Sequence, residues 1–137
     1  MKWAQSLIKL SAYEVETIQK RLAEVAERRM AAEMKRTLLE AEGEAEAARA
    51  GADPDAGWGF AAYVKGLRLR KAAADAEIAL ILAEEQGVRD ALALAFEAQK
   101  KYEHVAETAR ILARKEADRR ESAMLDELGL RRAAGGR

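Results

Sequence analysis

The sequence holds no cysteine, one proline and one histidine in 137 residues, and only 5% of it is aromatic. Without cysteine there are no disulfides, and zinc sites built from cysteine and histidine are excluded. Net charge is zero, with 24 basic residues against 24 acidic, so a uniformly basic nucleic-acid-binding surface is not expected. The longest strongly apolar run, Ile78 to Ala83, falls far short of the ~20 residues that span a bilayer. The opening residues lack the charged, apolar and small-residue segments of a signal peptide. There is no glycine-rich phosphate loop, no GxSxG elbow and no Ser–His–Asp set. No catalytic, metal-ligating or cofactor-binding residue is therefore assigned. His104 reads as a helix-surface residue. A cytosolic protein that is not an enzyme and does not insert into the membrane is expected.

What is abundant is alanine, leucine and charge. Half the residues are hydrophobic by a broad count and 35% are charged. Alanine buries little area, at roughly 25 cal/mol per Å², so this composition suits a thin seam between long helices better than a thick core. Breakers concentrate in one place: Gly51, Pro54, Gly57 and Gly59 fall within nine residues, and Pro54 disfavours helix at Asp53. The fold class expected is all-α, a long antiparallel two-helix coiled-coil hairpin with a longer C-terminal helix. Its parts are a helix over about 4–50, a loop over about 51–58 with Asp55 as a plausible N-cap, a helix over about 59–128, and a frayed tail over 129–137.

Heptad spacing supports the pairing. Ala4, Ile8, Ser11, Val15, Ile18, Leu22 and Val25 follow a 4-3 rhythm that then lands on Arg29 and Arg36. A shifted stripe, Ala26, Met30, Met34, Leu38 and Ala41, predicts a stutter in the first helix. In the second helix Val64, Leu67, Ala74, Ile78, Ile81, Val88, Leu92, Ala95, Tyr102, Ala106 and Ala109 share one stripe, interrupted by Lys71, Glu85 and Gln99. A fold-back at 54–57 makes neighbours of residues whose numbers add to about 111. Glu40, Glu42, Glu44 and Glu46 then face Lys65, Arg68, Arg70 and Lys71. Arg28 and Arg29 face Glu84 and Glu85, and Lys20 and Arg21 face Asp90. The same register sets Met1 against Arg110, so everything after Arg110 overhangs as an unpaired amphipathic helix, which invites a partner.

Three surfaces stand out. Trp58, Phe60, Tyr63 and Leu67 gather at the hairpin tip, where they either cap the loop or form an exposed hot spot. Arg114, Lys115, Arg119 and Arg120 lie on the overhang, as solvated charge or as a docking helix for an acidic groove. Trp3, with Leu7 and Leu10, adds apolar surface near the N-terminus.

The opening Met1-Lys2-Trp3-Ala4-Gln5-Ser6-Leu7-Ile8-Lys9-Leu10, continued by Tyr13-Glu14-Val15 and Gln19-Lys20-Arg21-Leu22-Ala23-Glu24, resembles the flagellar export protein family FliJ of the alphaproteobacterial type. The plan of two helices, one loop and a longer second helix agrees with that family over nearly the whole chain. The resemblance implies a component of the flagellar type III export apparatus, cytoplasmic and peripheral to the inner membrane at the flagellar base. Its termini would insert into the hexameric export ATPase ring as a central stalk. Another surface would engage the cytoplasmic domain of the export-gate membrane protein, and export chaperones would also bind. By position, Lys2, Trp3, Arg114, Lys115, Arg119 and Arg120 would face the ATPase, and Trp58, Phe60, Tyr63 and Leu67 the gate. The competing readings are a self-associating structural coiled coil, a secretion chaperone for a single client and, more weakly, nucleic-acid binding through the basic overhang.

Overall fold

A computed structural model describes residues 2–135. Two long helices carry nearly all of them: α1 over Lys2–Ala52 and α2 over Phe60–Gly135, joined by a short turn that includes a 3-10 segment, Ala56–Trp58. No strand occurs among the described residues. The all-α hairpin expected from the sequence is the fold observed. α1 stops where Pro54 requires: Ala52 is its last residue, and the Asp53 amide still reaches Arg49 O at 3.1 Å. The Asp53 carboxylate accepts the Asp55 amide at 3.1 Å, while Asp55 itself makes no side-chain cap. The expected N-cap role passes to an Asx-type bond two residues earlier.

α2 does not end near 128. It continues through Gly129 to Gly135, so the tail expected to fray is helical to that point, and Gly136 and Arg137 lie outside the described residues. A single glycine in a solvated helix costs only about 1 kcal/mol. Leu130, Arg131, Arg132 and the alanines that follow carry the helix past it, with Arg131 bonded to Glu127 one turn back at 2.9 Å.

The chain divides into two compact units, one of Val15–Leu94 and one that joins Met1–Glu14 to Ala95–Arg137. In the Val15–Leu94 unit the helices run antiparallel. Arg28 bonds Glu84 at 3.0 Å, Arg36 bonds Asp75 at 2.8 Å and Lys71 bonds Glu40 at 3.4 Å, so residues later in α1 meet residues earlier in α2. These pairs and Arg70–Glu42 at 3.8 Å keep the expected register near 111. At the far end of the block the expected partner changes. Arg21 reaches Glu84 at 3.2 Å, Lys20 pairs with Glu16 on its own helix, and Asp90 accepts from Gln86.

The core of this unit is Val25, Ala32, Ile81 and Val88, with Ile18, Leu22 and Ile78 packed against it. Covered positions on α1 recur at Val15, Ile18, Leu22, Val25, Arg29, Ala32, Arg36, Leu39 and Gly43, an unbroken 4-3 rhythm. The predicted stutter is therefore absent. Of the phase-shifted stripe, Ala26 is half-buried beside Val25, but Met30, Met34 and Leu38 are 57–62% exposed and Ala41 is exposed too. Arg29 and Arg36 hold the seam in their place because each is neutralised there. Arg29 donates to Glu85 at 2.6 Å and also pairs with Glu33, and Arg36 is shared between Asp75 and Glu40. Glu85 is 4% exposed, and a carboxylate so placed is tolerated only when paired. It takes Arg29 on one side and Arg89 on the other, both at 2.6 Å. The Arg29 bond, opposed by burial, holds its carboxyl below the usual range.

In the unit of Met1–Glu14 with Ala95–Arg137, Ala4, Ser11 and Ala95 are buried and Leu7, Ile8, Ala12, Ala98, Gln99, Ala106 and Ala109 are half-buried. The Ser11 hydroxyl answers its own burial by donating to Ile8 O at 2.8 Å.

Candidate docking surfaces

No helix of the described residues is long and apolar enough to cross a membrane, and no cluster of His, Cys, Asp or Glu among them has metal-site geometry. The depressions between the helices are open and shallow.

The first surface is the C-terminal arm of α2. Ala109 is the last half-buried residue, and every described residue from Arg110 to Gly135 is exposed. The overhang expected from the hairpin register is present in this form. Its counterpart at Met1 lies outside the described residues. Arg119 and Arg120 share a single carboxylate, Glu116, at 3.4 and 3.5 Å, with their side chains 80% and 79% exposed. Arg114 and Lys115 have no ion pair among the described residues, and with Glu116, Asp118 and Glu121 the stretch 114–121 carries four bases against three acids, an excess of one positive charge. Apolar side chains interleave with it: Ile111, Leu112, Met124, Leu125, Leu128 and Leu130 are all exposed. Lys2 and Trp3 belong to the same unit, on the first turn of α1, and the Trp3 ring is half-exposed.

The second surface is the tip, where the four residues read together from the sequence separate. Trp58 stands 94% exposed on the 3-10 turn. Phe60 and Tyr63, half-buried on the first turn of α2, stack on each other with ring centroids 6.3 Å apart. The Arg70 guanidinium lies 5.9 Å over the Tyr63 ring, a distance at which cation–π attraction operates. The Tyr63 hydroxyl is buried without a hydrogen-bond partner among the described residues. Leu67 is 7% exposed and does not belong to the exposed surface. It points into α1 at Gly43, where a Cβ would meet Leu67 Cδ2 at 2.5 Å. Sequence reading gave Leu67 two places, on the α2 stripe and at the tip beside the aromatics, and the stripe is where it lies. The glycine opposite makes room for it, at the only position along this stretch of α1 with no side chain to obstruct it.

The sequence reading missed a third surface. The shifted stripe Met30, Met34 and Leu38 lies outside the seam. Leu80, 74% exposed, lies in an open groove between α1 and α2 with Ala31, Arg28, Lys35, Glu77 and Glu84. The signal was present as alanine and leucine seven residues apart on each helix, Ala31 with Leu38 and Ala73 with Leu80.

No family model and no solved structure matches this chain. Two curated proteins do, both named flagellar FliJ protein and both from strains of Caulobacter vibrioides. Each is 58% identical over 137 residues, covering 99% of this chain and 99% of its own length. Identity at that level, end to end, shows that the protein belongs to the flagellar FliJ family.

Proposed function

We propose that this chain is a non-enzymatic component of the flagellar protein export apparatus. Its C-terminal arm docks into the export ATPase ring as a central stalk, and the hairpin tip engages the export gate. The observation that carries the reading is the arm itself: about seven turns of helix with no buried residue, exposed basic side chains at Arg114, Lys115, Arg119 and Arg120, and exposed leucines around them. A helix of this kind finds its packing in a partner. ATP hydrolysis belongs to the ring, and this chain couples it to transport at the flagellar base, peripheral to the inner membrane, with export chaperones as further partners. Lys2 and Trp3 extend the ATPase-facing surface. At the tip Trp58 is the contact residue, Phe60 and Tyr63 stiffen the turn behind it, and Leu67 supports them from inside the hairpin. The relatives named flagellar FliJ protein support the flagellar part of this reading.

The test is stimulation of the purified cognate export ATPase. Replacing Arg119 and Arg120 together by glutamate should raise the half-stimulating concentration at least ~10-fold, since losing charge-assisted contacts at an interface commonly costs more than about 1.4 kcal/mol. Unchanged stimulation, with helicity intact by circular dichroism, removes the arm as the docking surface.

A further inference from the structure

The groove between α1 and α2 in the Val15–Leu94 unit is unaccounted for by either docking surface. Its floor is Ala31, Ala32 and Ile81, extended by Leu39, Ala73 and Ala74. Lys35 and Glu77 stand on opposite rims at its middle, both exposed and neither in an ion pair among the described residues. Arg28 and Glu84, already bonded to each other, stand one heptad along.

We propose that this face is a self-association site that pairs two copies of the chain in parallel as a four-helix arrangement. A twofold axis running along the helices sets α1 of one copy over α2 of the other at the same level. In the register of the hairpin, Ala31 is level with Leu80, Leu38 with Ala73 and Lys35 with Glu77. Across the axis each pair then becomes an intermolecular one. Leu80 of one copy enters the gap above Ala31 of the other, Leu38 enters the gap above Ala73, and Lys35 meets Glu77. Every contact occurs twice, as an isologous interface requires. Large side chains face small ones and opposite charges face each other. The antiparallel alternative is disfavoured by the same residues, because a twofold axis across the helices at this level would set Lys35 on Lys35 and Glu77 on Glu77. The site uses none of the residues proposed for the ATPase or the gate, and it does not depend on that reading.

The test exploits the twofold pairing. By sedimentation equilibrium the full-length chain should show a monomer–dimer equilibrium. Lys35→Glu alone and Glu77→Lys alone should each weaken the dimer at least ~10-fold, because each creates two like-charge contacts. Mixing the two variants in equal amounts should restore the dimer. One variant then carries an acid at both positions and the other a base at both, so every pair across the axis is again of opposite sign. Neither substitution touches a seam residue, and unchanged circular-dichroism melts would verify that the hairpin is intact. Leu80→Glu should abolish association in every combination. A wild-type chain that stays monomeric to ~1 mM would leave the groove to a helix of another protein and overturn the proposal. A dimer that persists in the single variants, or a mixture that fails to recover, would overturn it equally.

Discussion

A methyl group added at Gly43 would stand 2.5 Å from the buried Leu67 side chain, whereas one added at Gly87 would meet nothing within 4 Å. Both glycines lie inside helices, where alanine is favoured by roughly 0.5–1 kcal/mol on backbone entropy. The two positions therefore separate propensity from packing. Gly87→Ala should stabilise the hairpin by about 0.5–1 kcal/mol in urea unfolding. Gly43→Ala gains the same propensity but must displace Leu67, and overpacking of this kind costs ~1–3 kcal/mol, so a net loss of about 1 kcal/mol is expected. Equal stabilisation by both substitutions would mean that Leu67 does not need the gap. The same scale explains the buried acid. Glu85 keeps its charge at a covered seam position because two guanidiniums answer it, and a buried ion pair of this sort serves register better than bulk stability.

At the scale of the element, the central question is which stripe of α1 faces α2. Val25 is 2% exposed and Met34 59%. Val25→Ala should cost about 2 kcal/mol of stability. Met34→Ala, on the open side, should change it by no more than ~0.5 kcal/mol. A helix with the phase shift that the sequence implied would keep Val25 in the seam but bring Met34 into it beyond residue 26, making Met34→Ala a damaging change as well. Both long helices, their antiparallel sense, the turn at Pro54 and the charge register were legible, because each rests on local signals: breakers, spacing and the sign of charged blocks. The stutter was a misreading with a physical cause. Hydrophobicity alone cannot admit Arg29 and Arg36 to a seam. Their acceptance depends on Glu85, Glu33, Asp75 and Glu40 being within reach, and Glu85 and Asp75 are brought there by the fold rather than by sequence. That Leu67 leaves the exposed tip surface, and that Ala31 and Leu80 share a groove, were hidden for a related reason. Whether a leucine is core or surface depends on the residue across from it, and only the register supplies that residue.

Over the whole chain, long helices of similar composition differ in what covers them, and amide exchange reads that difference. Buried side chains recur along α2 at Leu67, Ala74, Ile81, Glu85, Val88 and Ala95, then cease, and the last half-buried residue is Ala109. The charged side chains of the arm are held by bonds within α2 alone, such as Arg119 and Arg120 with Glu116 and Arg131 with Glu127. Each exposed pair of this kind contributes only ~0.3–0.5 kcal/mol. A helix without tertiary cover opens at little cost. Amides of residues 111–135 should therefore exchange at least ~100-fold faster than those of 71–92, although both segments are fully helical. Uniform protection from 71 to 135 would mean that something covers the arm in the free protein, a self-contact or a second copy, and the arm would then not be available as the proposed ATPase contact. Adding the export ATPase to the exchange experiment carries the argument one step further. Slowing confined to the arm and the first turn of α1 is what a stalk held by the ring produces. Slowing confined to the groove around Leu80 would instead assign the ATPase to the face that here is given to a second copy of the chain.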